Sequence, residues 1–444
     1  MPAPGNAAFR KLRSPCRLQK TLTGWQQKAV FLSVIGLPAV LVGGKAAELV
    51  FASACTQIGT LPELQWARAA DPQDPEVYER MGEAQLYGFL NSNPEAAFRN
   101  LRRAAALAPA RPLDWEVLGL ALESVHEYRS AQAALERARD LDPTSPQVHW
   151  LVANCDLSAG DAVKALPELK RTLYLDASYS RPVYDFCLRA GISPRTVTQL
   201  VLPRHDRARF RLNFATYLAA EGQIDASADV WKDAVISGGP FEFVWAQPYV
   251  DELMRDRDFA RAYQAWRDLE RLAVIQNPQG TDPAELLFNG GFEREPLNSG
   301  FDWHYDPLHY IRLDFADPHA YDGKRCLRID FIAPSNGEYT PLYQDVPAEP
   351  NQRYSLTAFV RSVELTSQSG PRLRVVDLND PAGLDVAGEP TLGTTAWHRV
   401  QVSFATGPDT RFVQVLVWRP RGVDFPTEIS GSFWIDDVSL KPAA

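Results

Sequence analysis

The chain has 444 residues, 45% hydrophobic and 23% charged, with a formal net charge of −9. That length exceeds one ordinary domain, and that balance excludes wholesale disorder. The acidic excess argues against nucleic-acid binding by the folded part.

Residues 1–28 form a basic tail carrying Arg10, Lys11, Arg13, Arg17, Lys20 and Lys28 and no acid. AVFLSVIGLPAVLVGG follows at 29–44, uncharged between Lys28 and Lys45. Sixteen residues fall short of the roughly 20 that span a bilayer as a helix. The two lysines can snorkel, however, and Trp25 suits an interface. We read 29–44 as a transmembrane anchor, a single pass with the tail cytoplasmic by the positive-inside rule. That is the topology of a bacterial inner-membrane protein with its bulk periplasmic. The alternatives are a buried solenoid helix and a cleaved signal segment ending at Ala52-Ser53-Ala54, with Cys55 acylated. Lys45 and Glu48 lie between the apolar stretch and that site, a poor arrangement for cleavage.

From 61 to 274 the apolar period is helical. PLDWEVLGLALESVHEYRSAQAALERARDLDP (112–143) places Trp115, Leu118, Gly119 and Leu122 on one stripe. Ala131, Leu135 and Ala138 make a second stripe, and Pro143 ends it. Gly119 and Ala131 are small enough for the two helices to approach closely. Asp142-Pro143 lies 34 residues after Ala108-Pro109, and Asp176-Ala177 lies 34 further on. The preceding unit, with Tyr78, Gly82, Ala97 and Leu101, is longer by its GFLNSN loop. His149, Ala153, Ala165 and Leu169 mark the following one. Phe210, Phe214, Ala226 and Val230, then Tyr249, Leu253, Ala262 and Trp266, mark two degenerate units. Segment 178–205 does not phase. This pattern resembles the tetratricopeptide repeat (TPR), which implies stacked helix pairs and a concave groove that holds a protein partner.

IQNPQGTDPAE (275–285) reads as a linker. After it the period becomes two, in YSLTAFV (354–360), RLRVVDL (372–378), HRVQVSF (398–404), RFVQVLVW (411–418) and SFWIDDVSL (432–440). The opening LLFNGGFE, DGKRCLRIDF (322–331), TAWHRVQVSF and the closing FWIDDVSL resemble, over 286–440, the galactose-binding-like jelly rolls of bacterial carbohydrate-binding modules. The fold class expected is therefore α plus all-β multidomain: a membrane helix, a TPR α-solenoid and a C-terminal β-sandwich jelly roll.

That resemblance implies one structural calcium, held by Glu293 with Asp436 or Asp437; strict alternation puts Asp436 inward. The alternative is an aspartate capped by backbone amides. The resemblance also implies polysaccharide binding on a sheet face through stacked rings. Alternation leaves Arg361, Gln414 and Trp418 outward, with Tyr343 and Trp303 on adjoining segments, as the carbohydrate-binding candidates. Trp397 and Trp434 match packing positions of the family. No catalytic motif is present. Asp302, His304, Asp306 and His309 crowd together in a loop, and a glycan-active enzyme using them is the rival to a non-enzymatic scaffold. A protein-only envelope assembly factor is the other. The five cysteines lack zinc spacing and a disulfide framework. Cys155 and Cys187 read as core residues, with a bridge between them as the alternative.

Overall fold

A computed structural model describes Trp25, residues 29–30, 33–34 and 37–443, apart from 89–92, 238 and 279–281. The basic tail 1–28, Trp25 apart, and part of 29–36 lie outside the described residues. The chain divides into two compact units, Met1–Glu168 and Leu169–Ala444.

The first unit is helical. Helix α1, Leu37–Ile58, carries on through Lys45 and Glu48, so the apolar stretch is not a separate span that ends at Gly44. It is long and apolar enough to cross a membrane, and only 6% of its most apolar window is buried. Its last turns bury Ala52 and Cys55 in a cluster with Leu64, Ala67, Val77 and Met81. Helices α2 (Leu61–Ala70) and α3 (Pro75–Tyr87) supply those partners. Helices α4 (Pro94–Leu107), α5 (Pro112–Ser124), α6 (Tyr128–Leu141) and α7 (Pro146–Ser158) follow, with α8 (Ala162–Leu175) holding the division between the units.

The repeat is visible in side-chain geometry. A Cβ on Gly82 would lie 2.5 Å from Leu101 Cγ, and a Cβ on Gly119 would lie 2.5 Å from Leu135 Cγ. Only hydrogen at those positions lets the paired helices meet. One aromatic position per repeat ties its helix to the preceding turn. Tyr78 Oη donates to Pro72 O (3.2 Å), Trp115 Nε1 donates to Pro109 O (3.2 Å), and His149 Nε2 meets Pro143 O (3.1 Å).

The second unit joins helices to the sandwich. The segment that resisted phasing holds a 3₁₀ turn, Ala177–Tyr179, helix α9 (Ser180–Arg189), and an irregular turn over 194–201. The second helix of that pair is thus shortened, which erases its period. Two further pairs follow: α10 (Arg207–Ala220) with α11 (Ile224–Ser237), and α12 (Phe243–Arg255) with α13 (Phe259–Arg271).

The described part of 275–285 is not a free linker. Asn277 donates to Leu287 O and accepts from Asn289 N, both at 3.0 Å, and Lys441 pairs with Asp282 at 2.8 Å.

The strands are β1 (Ile311–Asp317), β2 (Cys326–Ser335), β3 (Tyr339–Pro347), β4 (Arg353–Leu365), β5 (Arg372–Asp377), β6 (Asp385–Ala387), β7 (Gly393–Ala405), β8 (Phe412–Arg419) and β9 (Ile429–Pro442). They form two antiparallel sheets, ordered β1-β2-β9-β4-β7 and β3-β8-β5-β6. Their inner faces share one core, with Leu356, Val360, Val413, Val415, Ile435 and Leu440 among its members.

Candidate functional site

The carbohydrate-binding candidates divide between places that do not meet. Gln414, Leu416 and Trp418 project outward from β8, opposite core residues Val413, Val415 and Val417. Tyr343 pairs with Leu416 across β3 and joins them on the outer face of the four-stranded sheet.

Arg361 belongs to β4 in the other sheet, so it cannot serve the same face. Its guanidinium lies 4.9 Å from the Trp434 ring centroid, and Arg328 lies 5.2 Å from the same ring. Trp303 is no ligand contact either. It is fully buried, stacks on Phe292 and donates its Nε1 proton to Asn289 O at 3.0 Å.

The four-stranded face is already furnished with protein contacts. At one end Phe412 packs against Phe259 and Tyr263 of α13 and against Phe301. Arg257 donates to Leu378 O beside it, and Ser299 Oγ donates to Asp251 at 2.5 Å. Gln414 donates to the buried Asp345 at 2.8 Å, and His304 stacks on Tyr343. At the other end Trp418 donates Nε1–H to Glu338 at 2.9 Å. The Arg374 guanidinium covers its ring at 4.3 Å and is itself gripped by Asp385 at 2.7 and 2.5 Å.

The outer face of the five-stranded sheet is different. Tyr321 stacks on Phe359 with centroids 3.6 Å apart and planes at 9°, and Trp397 of β7 meets Tyr321 edge-on at 6.0 Å. Tyr321 is 45% exposed. Trp397, expected to be packing, is partly buried beside it. Period-two counting finds Trp397 on a strand; that β7 is the edge strand is decided by distant pairings.

The expected calcium set acts on the loop that presents Tyr321. Asp436 accepts from the amides of Tyr321 (2.8 Å), Asp322 (3.1 Å) and Asp437 (2.8 Å). Glu293 accepts from the amides of Lys324 (2.7 Å) and Arg325 (3.4 Å). Gly323 sits between them at φ +71°, where a side chain would strike Glu293. Asp436 does not point into the core, as strict alternation required. Asp437 at φ 46° makes a bulge, so Ile435 and Val438 both face the core while Asp436 faces the loop. Burial pushes the Asp436 carboxyl up to about 6 against the pull of its amide donors. Among the described residues no three His, Cys, Asp or Glu side chains converge to hold a metal ion. Glu293 and Asp436 thus both serve as amide acceptors for this loop, and Asp437 lines the same pocket as they do.

The loop cluster proposed for catalysis is tied to backbone. Asp302 accepts from Leu297 N (2.8 Å) and Trp303 N (2.7 Å), and burial pushes it up to about 7. His304 Nε2 meets Gly300 O at 2.8 Å, while His309 makes an edge contact with Tyr310. Cys55, Cys155, Cys187 and Cys326 are free and buried, so no bridge joins Cys155 to Cys187.

In the second unit, α9, α10 and α12 line a cleft of about 540 Å³. Arg181, Arg209, Asn213, Tyr217 and Trp245 face it, and the Arg209 guanidinium lies 5.6 Å from the Trp245 ring centroid. Sequence period places Arg209, Asn213, Tyr217 and Trp245 on first helices of pairs, but it leaves Arg181 unphased and does not show that the five share a wall.

No known family profile matches the chain, and no curated protein matches it. Solved structures similar to parts of it include that of MamA: 17% identity, 39% of this chain and 84% of that one, TM-score 0.27. Pseudomonas aeruginosa pilF is similar at 16% identity over 52% and 93% of the two chains, TM-score 0.29. A structure reported as "CBM4 structure and function" is similar at 14% identity over 35% and 99%, TM-score 0.26.

Proposed function

We propose that this protein is a non-enzymatic, membrane-tethered scaffold whose helix pairs hold a protein partner and whose β-sandwich engages a polysaccharide. The observation that carries the reading is the aromatic cluster on the outer face of the five-stranded sheet, where the exposed loop residue Tyr321 stacks on the partly buried Phe359 and meets the partly buried Trp397 edge-on. Aromatic rings held flat and exposed are costly to leave in water, and they suit the apolar face of a pyranose. The cleft of Arg181, Asn213 and Trp245 supports the protein-partner half. Helix α1, apolar and largely outside any core, supports the tether, with the N-terminus cytoplasmic and the bulk periplasmic. The pairing of these parts fits a role in synthesis, export or attachment of an exopolysaccharide in a bacterial envelope.

A second reading is favoured by one specific contact. Phe259 on Phe412 makes part of the four-stranded face a protein interface already, as a purely protein-binding assembly factor would have it. A polysaccharide array with the full chain in detergent separates the two. Saturable binding to any glycan supports the scaffold reading, and none across neutral and charged polymers leaves the protein-only factor.

A further inference from the structure

We propose that the first helix pair, α1 with α2, rests on the membrane surface, with Phe51 and Trp66 set in the lipid headgroup layer. This rests on the tether reading above and adds to it an interfacial contact made by the folded solenoid itself. Among the described residues, two tryptophans stand exposed, Trp25 and Trp66.

Where α1 is covered and where it is bare fixes the edge of the bilayer. Leu37, Val40, Leu41 and Val42 are exposed, whereas Ala52 and Cys55 are buried in the cluster that α2 and α3 complete. A face packed on other helices of the solenoid lies outside the hydrocarbon, so the span ends before Ala52. Lys45 and Glu48 are the first charges after the apolar run, and they pair at 3.0 Å. Lys45 therefore marks the hydrocarbon edge. Ala52 follows it by about 10 Å at the rise of a helix. The headgroup layer is about 5–8 Å deep. The turns between cross that layer, and Leu49, Val50 and Phe51 stay exposed in it.

Helix α2 returns to the same depth. Lys45 Nζ donates to Ala70 O at 2.8 Å, which holds the last turn of α2 beside the edge. Trp66, Ala69 and Pro72 then line one hollow with Lys45, Glu48 and Phe51. Phe51 is 53% exposed and Trp66 is 57% exposed. An indole at this depth keeps its ring among lipid chains and its N–H on lipid oxygens, the place tryptophan favours. The bilayer that α1 enters covers both rings with no further protein. Trp25 precedes Lys45 by about 20 residues, the length of one helical crossing, so the two exposed tryptophans bracket the span.

The test reads depth with nitroxide labels on the full chain in phosphatidylcholine vesicles. Cys16→Ser is included, since the other cysteines are buried. Leu41→Cys reports the tether, Phe51→Cys and Trp66→Cys report the patch, and Val163→Cys, exposed on α8, reports water. Phe51→Cys leaves Trp66 in place, and circular dichroism equal to the parent's guards against misfolding. Accessibility to oxygen and to a nickel chelate is read by power saturation. Leu41→Cys should be open to oxygen and closed to nickel. Phe51→Cys and Trp66→Cys should keep oxygen access and lose most of the nickel access of Val163→Cys. A label at 51 or 66 as open to nickel as Val163→Cys overturns the headgroup contact, and the tether stands if Leu41→Cys is still closed. Leu41→Cys open to nickel overturns both readings. Labels at 51 and 66 closed to oxygen and nickel alike overturn the lipid as occupant. A second copy is then the occupant if dilution with unlabelled chain restores access, and another protein if it does not.

Discussion

Phe259 of α13 packs on Phe412 of β8 with ring centroids 5.5 Å apart, so the last helix pair is seated on the sandwich. Phe412 is 8% exposed although it lies on an outer sheet face. Removing a buried Phe ring costs about 3–5 kcal/mol. Phe412→Ala should therefore lower stability by about 3 kcal/mol, read by denaturant unfolding. It should also split one cooperative transition of the second unit into two, followed by helical and tryptophan signals. A single unshifted transition would show that the contact is incidental.

Gly119 is required by Leu135. The Cβ of Gly119→Ala would stand 2.5 Å from Leu135 Cγ, which is a branch point and not a mobile tip. Overpacking of this kind costs about 1–3 kcal/mol, more than the roughly 1 kcal/mol that alanine gains in a helix. Gly119→Ala should thus destabilise the first unit. Leu135→Ala should destabilise it too, and the double variant should be clearly better than the sum of the two. Additive losses in thermal or urea unfolding would refute the contact.

Glu79 and Asp114 are buried together beside Arg111, which pairs with both. Burial pushes Glu79 up to about 7, with Asp114 raising it further against the pull of Arg111, and burial raises Asp114 also. The folded state therefore binds more protons than the unfolded chain between about pH 4.5 and 7. Stability linked to this pair is full below the unfolded value and falls as pH rises through the folded one. Glu79→Gln should flatten that slope and be least harmful near pH 8, measured by unfolding across pH. An unchanged slope would contradict the assignment.

Glu293 and Asp436 anchor the 321–325 loop through amides. Hydrogen bonds to a charged group contribute about 1.5–3 kcal/mol, so Asp436→Ala should cost at least about 2 kcal/mol. A thermal midpoint that is the same in calcium and in chelator would leave these carboxylates as amide anchors alone. A midpoint raised by calcium would show that these carboxylates do form a metal site.

Much of the fold is legible in the sequence because its signals are local. The 34-residue step, Gly119 opposite Leu135, and the alternation in YSLTAFV and RFVQVLVW each depend on near neighbours. What escapes is set by distant pairing or by a break in the period. Arg361 and Trp418 both alternate outward, but strand order puts them in different sheets. One left-handed residue, Asp437, reverses the side on which Asp436 falls. Trp303 sits in a polar loop that reads as surface, yet Asn289 and Phe292 enclose it. Tyr321 has no neighbour in sequence that announces its stack on Phe359.

The most direct test of the account compares two faces in one experiment. Polysaccharide binding by the full chain would be titrated for the parent, Tyr321→Ala and Trp418→Ala, with circular dichroism confirming equal folding. Saturable binding is expected that weakens clearly in Tyr321→Ala and is kept in Trp418→Ala, because the Tyr321 ring is exposed while Arg374 and Glu338 already engage the Trp418 ring. Binding lost with Trp418 and kept with Tyr321 would contradict it.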